Sequence, residues 1–375
     1  MELARLRTVY EHPGPYLTVH AEVGRGGEHA LDQIDARWTS IRHQLERHDL
    51  DPSLVEQVGE RLRENTHLEG EVRRTIVASG DEVVFDDVQA GHSMWPETVE
   101  VADLPDLTGW LRIADQEIPF LLVQVDRTGG DIDFYRALAR PRSEHESVEG
   151  ASYYIRKVPQ GDWAQKQFQR GAEELWKKNA REVADAITKV AGQQRPRAIL
   201  VAGDVRAVQE LTDALEGNDV PVVKLESGGR AEGTSEKALW DEVSTVLADL
   251  DAHAEKEIAD RLAEAAGRDA GAAVGTDAVL DALVRQQVDR LVLDLDEAAG
   301  QTVRPRQHEG LVLPEPALEA DELPADRVVV AAAALSSSKL SLLPAELIPA
   351  LGGAGNAEGV AALLRWTDRE APPEG

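Results

Sequence analysis

The chain has 375 residues, enough for two or three domains, and carries 40 Lys and Arg against 69 Asp and Glu, a formal net charge of −29. Such acidity excludes general adhesion to nucleic acid or to anionic membranes. The absence of cysteine excludes disulfides, thiolate zinc sites, cysteine nucleophiles and iron–sulfur ligation together.

Residues 17–23 alternate Leu17, Val19, Ala21 and Val23 with Thr18, His20 and Glu22, which predicts a strand. Gly24, Arg25, Gly26 and Gly27 break it, read first as a plain turn, with an RNA contact as the alternative. A helix is expected over 30–47, with Leu31, Ile34, Trp38, Ile41 and Leu45 on one face, and a second one after Asp51 and Pro52. Strands over 75–78 and 83–88 complete an α+β domain spanning 1–115.

The second section, 116–232, opens with a strand over 120–126, a Gly-containing turn and a return strand over 131–135. A Gln-rich loop over 161–170 and a helix over 164–190 follow. Strands over 198–203 and 222–225, separated by a helix over 205–215, imply an α/β layer. The third section, 233–375, contains a long helix over 235–266, a helix over 277–287 and a strand over 291–295. The apolar run 328–335 reads as a buried strand, and 359–366 as a closing strand or short helix. The overall expectation is mixed α/β and α+β architecture in three domains, with mixed sheets flanked by helices.

The charge is unevenly spread. Residues 151–200 carry ten Lys and Arg against five Asp and Glu, while the rest of the chain is strongly acidic. On the helix over 164–190, Phe168, Ala172, Leu175, Trp176, Val183, Ile187 and Val190 share an apolar arc. Lys166, Arg170, Lys177 and Arg181 fall in a separate arc opposite it. Cations at this spacing follow a phosphate backbone from one side. The plain alternative is a solvated face paired with Glu173 and Glu174. In the loop, Trp163 can stack on a base, while Gln165, Gln167 and Gln169 offer neutral donors and acceptors.

The remaining motifs point to no cofactor and no metal. The glycine-rich stretch 353–359 has the wrong spacing for a dinucleotide fingerprint, no Walker-type string occurs, and His43 and His48 are five apart. Ser336, Ser337 and Ser338 lack a nucleophile-elbow context. The first residues, Met1 to Arg5, show no apolar leader, and the longest unbroken apolar run is too short to span a membrane, so a cytoplasmic protein is expected.

Val123-Gln124-Val125-Asp126-Arg127-Thr128-Gly129-Gly130-Asp131, the 161–181 stretch, 198–203, Gly228-Gly229, Gly275-Thr276-Asp277-Ala278-Val279, 291–294 and 359–366 occur in an order that resembles a known family. This is the bacterial branch of the archaeo-eukaryotic release factors, including Pelota-like proteins. Within it, the chain is most similar to the actinobacterial group of Balon-type ribosome hibernation factors and Vms/Ankzf-type peptidyl-tRNA hydrolases. The resemblance implies an N-terminal domain near the decoding region, a central domain reaching toward the peptidyl transferase centre and a ribosomal-protein-like C-terminal domain. It also implies the ribosome as partner, with tRNA and a GTPase such as elongation factor Tu as further candidates. Release factors present Gly-Gly-Gln at the central loop. Here Gly161-Asp162-Trp163 stands in its place, with Gln165 displaced by two positions.

The favoured expectation is a translation factor occupying the vacant A site. Trp163 would stack, Gln165 and Gln169 would hydrogen-bond, and Lys166, Arg170, Lys177 and Arg181 would neutralise rRNA phosphates. The alternative is a peptidyl-tRNA hydrolase in which Gln165 positions water. An acidic adaptor that kept the fold and lost the task is a third reading.

Overall fold

The computed structural model describes residues 1–25, 30–68, 70–91, 95–138, 142–149, 162–228, 235–268, 271–348 and 358–366; side chains at 30–31, 149 and 162–173 are also outside the description. The chain divides into two compact units, one made of residues 1–116 with 253–375 and the other of 117–252.

The N-terminal part contributes α1 (Ala4–Tyr10), β1 (Tyr16–Glu22), α2 (Ala30–Leu45), α3 (Pro52–Arg63), β2 (Val72–Ser79), β3 (Glu82–Ala90), β4 (Thr98–Ala102) and α4 (Thr108–Asp115). The strands form an antiparallel sheet in the order β3-β2-β1-β4. Asp51 starts α3 by accepting a hydrogen bond from the Ser53 amide at 2.7 Å, with Pro52 in the first turn. Leu17, Val19 and Ala21 of β1 pack with Ile41 and Leu45 of α2 and Leu54, Val58 and Leu62 of α3. The opposite face of β1, which alternation assigns to polar residues, is also covered: Thr18 and His20 are buried.

The central unit holds β5 (Phe120–Asp126), β6 (Gly129–Tyr135), β7 (Glu144–Glu149), α5 (Asp162–Gln194), β8 (Ala198–Gly203), α6 (Val205–Ala214) and β9 (Val222–Lys224). Its sheet runs β7-β6-β5-β8-β9, parallel between β5, β8 and β9 and antiparallel between β5, β6 and β7. One face packs on α5 and α6 through Val183, Ile187, Val208 and Leu211. The other packs on Leu239, Val243 and Leu247 of α7 (Glu236–Gly267). Each fully buried Val, Leu or Ile in these layers contributes about 1.5–3 kcal/mol.

The C-terminal part adds β10 (Ala272–Val274), α8 (Thr276–Val284), β11 (Val288–Leu293), α9 (Leu295–Ala299), β12 (Thr302–Val303), α10 (Glu315–Glu319), β13 (Leu323–Pro324), α11 (Ala325–Leu335), β14 (Lys339–Leu342) and β15 (Val360–Leu364). Its main sheet runs β10-β15-β11-β14, with β11 and β14 parallel. Leu6, Val9 and Tyr10 of α1 share one core with Val328–Ala334 of α11 and Leu291 and Leu293 of β11. Arg327 forms a two-pronged pair with Glu100 at 2.9 and 3.1 Å, tying β4 to α11 within this unit.

Two expectations are corrected. The apolar run 328–335 is helix α11, not a strand. Four consecutive alanines, Ala331 to Ala334, favour helix, and burial on every side erases the periodicity that would have revealed it. Residues 162–170 of the expected Gln-rich loop are helical: α5 begins at Asp162, two residues ahead of the helix expected over 164–190. Ala164, Gln165, Lys166 and Gln167 are good helix formers, and after Gly161 nothing in the sequence breaks the helix. The α1, β4, α4, β7, β10, α9, β12, α10, β13 and β14 elements have no counterpart among the elements expected from sequence.

Candidate functional site

The strand β5 ends in a tight turn that the signature string encodes. The Asp126 carboxylate accepts hydrogen bonds from the Thr128 amide at 2.7 Å, the Thr128 hydroxyl at 2.6 Å and the Gly129 amide at 3.0 Å. This is an Asx turn, and it explains why Asp precedes Thr-Gly-Gly. A side chain at Gly130 would place its Cβ 2.9 Å from Val125 and 3.2 Å from Val183, so glycine here lets α5 lie close to the hairpin. At the end of β8, Gly203 has φ +140°, and a Cβ there would come 1.9 Å from the Val125 carbonyl oxygen.

Arg127, at the tip of the turn, is held from three sides. Its carbonyl accepts from the Asn179 side-chain amide at 3.0 Å. Its guanidinium sits 4.7 Å from the centre of the Trp176 ring. It also pairs with Asp204 at 3.2 Å. Asp204 in turn caps α6 by accepting from the Arg206 and Ala207 amides. Burial pushes the Asp204 carboxyl up, but the Ala207 amide, the Arg127 guanidinium and the Arg206 amide outweigh it, and its pKa lies below the ordinary value. Arg127, Trp176, Asn179, Arg206 and Glu210 line a cleft between α5 and α6 at this end of the sheet. Sequence reasoning missed the clamp. Its one available signal was Asn179, a polar residue inside the apolar arc of α5.

The cationic residues of α5 divide by what is described. The backbone of Trp163, Gln165, Lys166, Gln169 and Arg170 is helical, and their side chains lie outside the described residues. Gly161 lies outside them altogether, as do Gly26, Gly27, Gly229 and the 353–357 part of the glycine-rich stretch. Lys177 and Arg181 are exposed. Neither has a carboxylate partner among the described residues, whereas neighbouring Lys178 pairs with Glu182 at 3.5 Å.

The position of the stripe differs from the expectation. The expectation sets it opposite the apolar arc, yet Ala184, one turn beyond Arg181 and two beyond Lys177, is buried in the core shared with α6. At about 100° per residue the four cations occupy an arc of about 60° that borders the buried face rather than opposing it. The second helix packed on the sheet widens the buried arc, and small alanines allow that approach. The stripe therefore runs along one flank of α5, whose Trp176 and Asn179 grip Arg127.

No helix among the described residues is long and apolar enough to cross a membrane. Residues 119–268 match the model of bacterial archaeo-eukaryotic release factor family 2. Uncharacterized proteins from two strains of Mycobacterium tuberculosis, H37Rv and CDC 1551, are each 27% identical over 378 residues, covering 98% of this chain and 97% of theirs. Among solved structures, Archaeoglobus fulgidus Pelota is 15% identical, over 78% of this chain and 80% of its own, with a TM-score of 0.31. Dom34 of S. cerevisiae, a translation termination-like factor involved in RNA quality control, is 10% identical over 79% of each chain, with a TM-score of 0.42. The match to the release-factor family model falls on the stretch that builds the central sheet with α5, α6 and α7.

Proposed function

We propose that the protein is a ribosome-binding translation factor whose α5 flank lies against ribosomal RNA. The observation that carries this reading is the stripe itself. In a chain of net charge −29, Lys177 and Arg181 stand exposed without a carboxylate partner among the described residues, inside the segment that matches the release-factor family. Cations left unneutralised in an acidic protein supply a directed contact to phosphates, and the acidic remainder suppresses binding elsewhere. Lys166 and Arg170 extend the same line by helical spacing, and Trp163, Gln165 and Gln169 fall at its N-terminal end.

In this reading the protein occupies a vacant A site, holding the start of α5 near the peptidyl transferase centre in the manner of a hibernation factor. The three-domain division, delivery by a GTPase such as elongation factor Tu, and tRNA contact belong to the same proposal. Centrifugation of purified protein with vacant ribosomes through a sucrose cushion tests it. The protein is expected in the ribosomal pellet at low salt; retention in the supernatant rejects the proposal.

A second reading rests on the Gly161-x-x-x-Gln165 spacing: peptidyl-tRNA hydrolysis with Gln165 orienting water. Release of labelled peptide from stalled complexes, lost in Gln165→Ala, is the expected signature. Background release by the unaltered protein rejects it.

A further inference from the structure

The serine triplet that ends α11 has no part in the function proposed above, yet it sits among cations. Ser337 is left-handed, with φ 55°. The Ser338 amide reaches the Ala333 carbonyl at 2.9 Å and the Ser337 amide reaches that of Ala334 at 3.2 Å, which closes the helix as a Schellman turn. The Ser338 hydroxyl donates to the Val288 carbonyl at 2.9 Å, pinning the turn to the start of β11.

Around this turn the C-terminal sheet brings several basic residues to one edge. Arg365, after β15, donates to the Ser337 carbonyl at 3.0 Å and to that of Ser336 at 3.4 Å. Arg7 of α1 reaches the Ser337 hydroxyl at 3.3 Å. Arg290 of β11 donates to the Ser341 hydroxyl at 2.8 Å and lies in register with Lys339 of β14. Arg285, at the end of α8, donates to the Gln287 side chain at 2.8 Å, and the Gln287 carbonyl accepts from the Arg365 amide at 2.7 Å. Glu11 pairs with Arg7 and Glu2 lies 4.0 Å from Lys339, while Asp289 sits beside Arg290 in sequence.

Arg285 and Arg365 are exposed, and neither has a carboxylate partner among the described residues. Capping the carbonyls of α11 accounts for only one nitrogen of Arg365, and a guanidinium carries five donors. Elsewhere in this acidic chain, arginines such as Arg74, Arg304, Arg306 and Arg327 are each matched with carboxylates.

We propose that this edge, formed by Arg7, Arg285, Arg290, Lys339 and Arg365 around Ser336–Ser338, is a second polyanion-binding surface, and that its partner is the sugar-phosphate backbone of RNA. The exposed guanidinium groups of Arg285 and Arg365 fit that chemistry, because phosphodiester oxygens accept from them. Half-buried Trp366 follows Arg365 directly and offers a ring to an unstacked base.

The surface belongs to the other compact unit from α5, so the two can be tested apart. Fluorescence anisotropy of a labelled oligouridylate, titrated with the full chain across roughly 50 to 200 mM salt, reads the contact. The Arg285→Glu/Arg365→Glu double variant is expected to bind at least about tenfold more weakly, with a log–log salt slope shallower by about 1.4. Arg285→Gln/Arg365→Gln, checked by its circular-dichroism melt, should show the same slope change without charge reversal. The Lys177→Glu/Arg181→Glu variant forms a separate arm, whose outcome bears on α5 alone. Unchanged affinity and slope in both 285/365 variants overturns the proposal, as does absence of binding by the unaltered protein. Displacement of the RNA by polyglutamate at equal charge concentration overturns the assignment to nucleic acid.

Discussion

Arg74 and Arg181 are the same residue type in opposite circumstances. Arg74, on β2, is buried and held by Asp86 through two nitrogens at 2.7 Å and by Glu64 at 2.9 Å. Burial presses its pKa down, but the carboxylates outweigh that, and the net direction is upward. Arg181, on α5, is exposed and has no carboxylate partner among the described residues. A chain with so many acids can pair an arginine wherever the fold gains from it. The contrast teaches that burial, not charge alone, decides where this chain pairs an arginine: Arg74 is enclosed and matched, Arg181 is open.

The largest expected effect breaks the interior side of this comparison. Arg74→Ala removes the charged hydrogen bonds to Asp86 and Glu64, leaving Asp86 with Arg61 alone at 2.6 Å, and should cost about 3 kcal/mol. Urea unfolding should show the loss, and a value under about 1 kcal/mol would mean the network contributes little.

Next comes the carboxylate beside Arg327. Burial and, less strongly, Asp106 push Asp326 up from its ordinary 3.8 to about 6, against the lowering pull of Arg327. The native state then holds the proton more tightly than the unfolded chain. Its contribution is fully present below pH 3.8 and is lost as pH rises through about 6. Asp326→Asn should therefore be more stable than the unaltered protein at pH 7, by on the order of 2 kcal/mol, with the advantage vanishing near pH 4. Parallel stability–pH curves would contradict this assignment.

A smaller effect is expected at the clamp. Asn179→Ala removes the bond to the Arg127 carbonyl and should cost about 1–2 kcal/mol by urea unfolding. Because the clamp sets the flank of α5, it should also weaken ribosome binding while leaving the number of phosphate contacts, and hence the salt slope, nearly unchanged. The smallest expected change is in stability on the open side: Lys177→Glu and Arg181→Glu should each stay within about 0.5 kcal/mol of the unaltered protein.

Much of this was legible in the sequence because period and punctuation are local. The strand over β1, the hairpin of β5 and β6, and Val183, Ile187 and Val190 of the apolar arc of α5 all survive in the structure. Helix α11 was hidden because burial on every side leaves no polar face to count. Strand β7 was hidden for the opposite reason: Glu144, His145 and Glu146 at a sheet edge look like a loop until β6 pairs with them. The stripe was visible as charge, but its place beside the buried face depends on the packing of α6 against α5, which no local pattern announces. The clamp was invisible because Arg127, Asn179 and Asp204 lie far apart in sequence and meet only when the sheet closes.

The measurement that bears most directly on the central claim is ribosome binding as a function of salt, comparing the unaltered protein with Lys177→Glu/Arg181→Glu. If α5 lies against ribosomal RNA, the double variant binds at least about tenfold more weakly, and its log–log salt slope is shallower by about 1–2. Superimposable titrations would show that the open cations of α5 touch no phosphate, and the proposed orientation of the helix on the ribosome would be wrong.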